Sequence, residues 1–142
     1  MTAGQGALPS MSTFRYQDLQ VWQEGVGLVK GYYSLLKQFP RDEQFALAAQ
    51  GKRAIVSVVL NIAEGSSRRT DKDFSLYVNH ALGSLLEADA VLRIAVELGY
   101  VAASIYREFA PALDRQYYKL VAFDKALRRG TGRRSRYSDE AQ

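Results

Sequence analysis

The 142-residue chain contains no cysteine, one histidine, three prolines and one tryptophan. Without cysteine there is no disulfide framework and no thiolate metal site, which suits a reducing cytoplasm. The single histidine, His80, has Tyr77 three residues before it. A di-iron helix bundle needs two Glu-x-x-His motifs and two further carboxylates, so that chemistry is excluded, and zinc is left with too few ligands. No G-x-x-x-x-G-K-[ST] run occurs, and nothing places a serine, a histidine and an acid together as a triad requires. The expectation is a protein that is not an enzyme and has no cofactor, metal or evident small-molecule substrate. Long apolar runs are missing as well. The longest, near 54–60, is interrupted by Ser57 and closed by Asn61, far short of the roughly 20 residues of a membrane span. The opening "MTAGQGALPSMSTF" lacks the basic and apolar regions of a signal peptide. No stretch alternates as a strand would. A cytoplasmic, all-α protein is the expectation.

What the chain does have is helical periodicity. Apolar residues make up 47% of it, enough for one domain with one core at this length. Residues 1–13 are rich in Gly, Ser and Thr and are expected to be disordered. In the first predicted helix, about 16–38, Leu19, Trp22, Val26, Val29, Tyr33 and Leu36 form a seam with heptad spacing. Phe39-Pro40 ends it. The second is expected to start at Asp42 as a cap, to run its seam through Phe45, Ala48, Ile55, Val59 and Ile62, and to end at Gly65 in a left-handed conformation. Thr70 should cap the third, with Asp73 as the partner in a variant capping box. Its seam is Phe74, Val78, Ala81, Leu85, Ala88, Leu92 and Ala95, closed by Leu98-Gly99. The fourth, about 104–128, carries Tyr106, Phe109, Leu113, Tyr117, Leu120, Phe123 and Leu127, with Pro111 expected to kink it or split off its first turn. Four long helices with short connections (residues 14–128) are most economically an antiparallel up-down-up-down four-helix bundle. A basic, disordered tail follows over 129–142.

These residues also carry a resemblance. "FRYQDLQVWQ", "FP" followed by "DEQFALAAQ", "NIAEGSSR" and "ALGSLLEAD" with "ELGY" beyond it occur in order over about 14–127. The chain resembles the four-helix bundle proteins encoded in intervening sequences of bacterial large-subunit (23S) ribosomal RNA genes. That family is similar in fold to the accessory variability proteins of diversity-generating retroelements. The resemblance implies a ring-like homopentamer, with nucleic-acid binding as the usual proposal for its role. One departure is Gly51, where the family usually has an apolar residue after the glutamine.

Three groups of residues are candidates for function. The first is a second apolar stripe on the first helix, Val21, Gly25, Leu28, Tyr32 and Leu35, one residue behind the seam. Together the two stripes cover more of the circumference than a bundle core buries, so this one is expected to be a subunit interface. The second is polar. Gln50, Ser57, Asn61 and Glu64 line one stripe of the second helix, and His80, Ser84 and Glu87 one of the third. Gln50 or Arg53 should meet Glu87, giving a buried seam that fixes register, so that removing Glu87 is expected to be costly. The third is basic. Residues 1–127 hold 14 basic and 13 acidic groups, whereas "RRGTGRRSRY" adds five arginines and no acid. Arg68, Arg69 and Lys72 before and within the third helix, with Arg128, Arg129, Arg133 and Arg134 after the fourth, should share one end of a bundle and contact RNA or DNA phosphates. The alternatives are a solvated helix corner and a solvated tail, the protein then being a protein–protein scaffold.

Overall fold

The computed structural model of the chain describes residues 14–130. The disordered segment expected at 1–13 and the tail from 131, with Arg133 and Arg134, lie outside the described residues. Four α-helices, and no strand among the described residues, make up the fold: α1 Gln20–Leu36, α2 Leu47–Ser66, α3 Asp71–Glu97 and α4 Ala103–Arg128. A 3-10 turn, Arg15–Asp18, precedes α1, and Leu19 in extended backbone separates the two. None of the helices is long and apolar enough to cross a membrane.

The seam of α3 is as the spacing predicts. All seven of its residues are buried, none more than 2% exposed. Both its ends have local causes. Thr70 Oγ1 accepts a hydrogen bond from Asp73 N at 3.1 Å, satisfying one orphan donor. At the other end Gly99, at φ 79, closes the helix. Tyr100 N donates to Ala95 O and Gly99 N to Val96 O, a pairing that terminates helices and favours glycine.

The second helix starts later than its caps suggest. A 3-10 turn, Arg41–Glu43, comes first, and Ala46, at φ −117 and ψ −103, breaks the chain before α2. The break turns Phe45 out of the expected core, leaving it 95% exposed. Glu43, not Asp42, serves the helix start, accepting from Leu47 N at 3.3 Å. Gly65 does not end α2 in a left-handed conformation. It is a buried helical residue, and a Cβ there would lie 2.7 Å from Phe74 Cδ1 and from Tyr77 Cβ. Its absence lets α3 approach. The serines after it finish the helix, the Ser66 and Ser67 hydroxyls donating to Ala63 O and Glu64 O. The run "NIAEGSSRRT" is thus a close helix–helix corner. Pro111 does not split off the first turn of α4, which continues through it.

On α1 the two stripes exchange roles. Of the expected core seam only Leu36 is buried, and Tyr33 is 40% exposed. Val21, Gly25, Leu28, Tyr32 and Leu35, expected to face another subunit, are with Leu36 the buried residues of α1. They are covered by their own chain. Gln116 Nε2 of α4 donates to Val21 O at 2.9 Å. A Cβ on Gly25 would meet Val59 Cγ1 of α2 at 2.6 Å. Tyr32 crosses the core to donate its hydroxyl to Ala88 O of α3 at 2.8 Å, and burial pushes its phenol well above the usual range. A surface so filled cannot also be a subunit interface.

Candidate functional site

The α2–α3 corner and the end of α4 meet. Phe123 stacks edge-on against Phe74, ring centroids 5.2 Å apart. One residue further along each helix, Ser75 donates its hydroxyl to Asp124. Asn79 Nδ2 reaches the same carboxylate at 3.3 Å, and Arg128 Nη2 is 2.7 Å from its other oxygen. Asp124 is only 3% exposed. This buried network joins the two candidate basic groups at one end of the molecule. Sequence reading missed it. Gln116 and Asp124 sit at core spacing between Leu113, Leu120 and Leu127, and polar residues at core spacing are the signal that would have found it.

The members of that end differ in how available they are. Arg68 is partly buried; its guanidinium pairs with Glu64 at 3.1 Å and lies 4.6 Å over the Tyr77 ring. Arg69 and Lys72 are exposed, and among the described residues they form no ion pair. Arg128 is held by Asp124, and Arg129 is exposed. Within 64–73 the three cations are matched in number by Glu64, Asp71 and Asp73, so the corner alone has no excess of positive charge. The excess comes from α4. From Arg115 to Arg129 its one acid is the buried Asp124, against Arg115, Lys119, Lys125, Arg128 and Arg129.

The polar seam exists in part and lies at the rim. Gln50 Nε2 donates to Glu87 Oε1 at 3.4 Å, and Ser84 donates to Ser57 Oγ at 2.9 Å. Asn61 turns back on its own helix, to Ser57 O and Oγ, and Glu64 pairs with Arg68. Gln50, Arg53, Glu64 and Glu87 are all exposed, and Arg53 makes no hydrogen bond or ion pair among the described residues. The seam is therefore not buried. An exposed pair such as Gln50–Glu87 contributes a few tenths of a kcal/mol, roughly a tenth of a buried charged pair.

Two further polar groups tie helices together. Tyr106 of α4 donates to Asp89 Oδ1 at 2.6 Å and accepts from Arg93 Nε at 2.9 Å. Lys119 Nζ is 2.6 Å from Glu24 Oε1, and that hydrogen bond holds the Glu24 carboxyl below its usual range. This pair borders a cleft of about 370 Å³ between α1 and α4, lined also by Gly27, Leu28, Phe109 and Arg115. Among the described residues no three His, Cys, Asp or Glu side chains come together as a metal ion would need.

Residues 17–122 match the sequence profile of one family, described as 23S rRNA-intervening sequence protein. No curated protein matches the chain.

Proposed function

We propose a function on one premise: this chain belongs to the 23S rRNA-intervening sequence protein family, as the match over most of its length shows. In our reading it is a non-enzymatic, cytoplasmic protein that self-associates, as a pentamer, and binds RNA or DNA through basic residues at one end of each subunit. The observation that carries this is the meeting of the α2–α3 corner with the end of α4, through Phe74–Phe123 and Ser75–Asp124, which brings the segment of Arg69 and Lys72 and the segment of Lys125 and Arg129 to one end of the subunit. The arrangement of helices in this reading is up-down-up-down with antiparallel neighbours. It is supported by the contact of Gly65 with Phe74 and by the Gln50–Glu87 bond, which pair the end of α2 with the start of α3 and the start of α2 with the later part of α3. Phosphate contacts position a nucleic acid without reading its sequence, so binding should be weakly specific. Repetition of a modest patch around a ring would add avidity.

The expected result is binding of RNA and DNA that weakens steeply as salt rises. Replacing Arg69, Lys72 and Arg129 together with alanine should lower affinity about tenfold or more at low salt and reduce the dependence of log affinity on log salt by about three contacts. Helicity should not change, since all three are exposed. A filter-binding titration across salt checks this. Wild-type protein that binds neither nucleic acid at low salt would leave a protein–protein scaffold as the reading.

With the α1 stripe inside the subunit, self-association needs another surface. The outward side of α3 offers one. Leu76, Leu86 and Ile94 are 54, 57 and 47% exposed, and Gly83 and Ala90 between them are exposed too. Light scattering of the wild type should give several times 15.9 kDa, and Leu86→Glu with Ile94→Glu should bring the mass down while the far-ultraviolet spectrum stays helical. A wild-type monomer at micromolar concentration would end this part of the reading.

A further inference from the structure

The outward face of α4 carries more than charge. Tyr118 is 70% exposed, and the Tyr117 ring stands against it at 5.6 Å and 85°. On a helix, residues three, four, seven and eleven apart return to one side. Asp114, Arg115, Ala122, Lys125 and Arg129 therefore share the face of Tyr118, and all five are exposed. At 1.5 Å per residue the run from Arg115 to Arg129 is about 21 Å long. Within that run the one acidic side chain, Asp124, is turned inward to Ser75 and Asn79, so the exposed Asp114 at its N-terminal end is the acid this face keeps against the three cations. Lys119, at the border of the face, is occupied by Glu24.

An aromatic ring costs something to leave in water, and its neighbours here give it no cover beyond the Tyr117 edge. Set in a row of cations, its free face has a natural occupant. Unpaired bases stack on aromatic rings while cations beside the ring follow the phosphates. A duplex hides its base faces, so it would contact the cations and pass over the ring.

We propose that the α4 face centred on Tyr118 is a site for single-stranded nucleic acid, the ring stacking on one base and Arg115, Lys125 and Arg129 following its phosphates. The inference rests on the nucleic-acid reading above and adds to it the form of the ligand and the residue that selects it. Stacking is tolerant of base identity, so single-stranded RNA and DNA should bind alike at this ring.

The test is fluorescence anisotropy with three labelled probes of one sequence: single-stranded RNA, single-stranded DNA, and the DNA duplex. Tyr118→Ala should weaken binding of both single strands by at least about fivefold and leave the duplex within about twofold. Tyr118→Phe, which keeps the ring, should bind as the wild type does. Lys125→Ala should weaken all three probes and lower the salt dependence by about one contact. Tyr118 is exposed, so the variants should fold, and circular dichroism confirms it. If the wild type binds single strands and Tyr118→Ala matches it, this inference fails while the nucleic-acid reading stands. It fails in the same way if the variant loses duplex and single strands equally. If the wild type binds none of the probes, both fail.

Discussion

Gly51→Ala should be among the most damaging single-atom additions to this protein, and Gly27→Ala one of the most benign. The two substitutions are chemically identical and both lie in helix interiors. In isolation each should gain about 1 kcal/mol from the better helix propensity of alanine. At Gly27 nothing lies within 4 Å of the new methyl group, so most of that gain should be seen. At Gly51 the methyl would lie 2.6 Å from Tyr32 Oη and 3.0 Å from Tyr32 Cε1 and Val91 Cγ1. Tyr32 cannot step aside cheaply. It is fully buried, and its hydroxyl is committed to Ala88 O. Overpacking costs about 1–3 kcal/mol, and a buried hydroxyl that loses its acceptor costs about 1–3 more. The net expectation is a loss of about 1–5 kcal/mol once the propensity gain is subtracted. Urea melts of the two variants should move in opposite directions. Adding Tyr32→Phe to Gly51→Ala removes the nearest clashing atom, so the double variant should be more stable than the two single effects predict. Additive effects would show that Tyr32 and Gly51 are not coupled. The same geometry accounts for glycine at position 51: the space a side chain would take is filled from α1 by the tyrosine.

Asp124→Ala is the second large effect expected. Three donors converge on this carboxylate from two helices: Ser75, Asn79 and Arg128. Ser75 is 8% exposed and Asp124 3%, so water cannot easily replace the lost partner. Leaving buried donors unsatisfied costs about 1–3 kcal/mol. The larger figure for breaking a buried ion pair does not apply, because the Arg128 side chain is 63% exposed and can be solvated when released. For a chain of this size the loss should lower the melting temperature by roughly 3–10 °C. Glu108→Ala, on the exposed side of α4, should change it by about 1–2 °C at most. Equal melting temperatures for the two variants would mean that the network contributes nothing net. Asp124→Asn is informative beside them. It keeps the side-chain shape and removes the charge opposite Arg128, which is then free to meet a phosphate, so nucleic-acid affinity should hold or rise while stability falls.

The sequence alone settles the four helices, their order, the core face of α3 and the capping at Thr70 and Gly99. Those features rest on local causes: a spacing that returns side chains to one face, a hydroxyl three residues before an N–H, a glycine where φ must be positive. On α3 the polar and apolar faces are distinct, so its buried side could be read directly. On α1 they are not. Two apolar stripes lie about 100° apart, and periodicity cannot rank them. Only the partners that α2 and α4 bring, Val59 at Gly25 and Gln116 at Val21, decide that the second stripe faces inward. Gly65 is the same kind of case. A glycine near a helix end reads as a left-handed cap, but the approach of Phe74 and Tyr77 gives it a different task. The candidate site divides along the same line. The sequence names the arginines and lysines, because charge is a property of residue type. Which of them stay free depends on carboxylates distant in the chain or turned inward. Asp124 neutralises Arg128 from within the core, Glu24 takes Lys119 from another helix, and the net basic face around Tyr118, with Asp114 as its acid, exists because α4 is rotated to bury Asp124 and expose the ring.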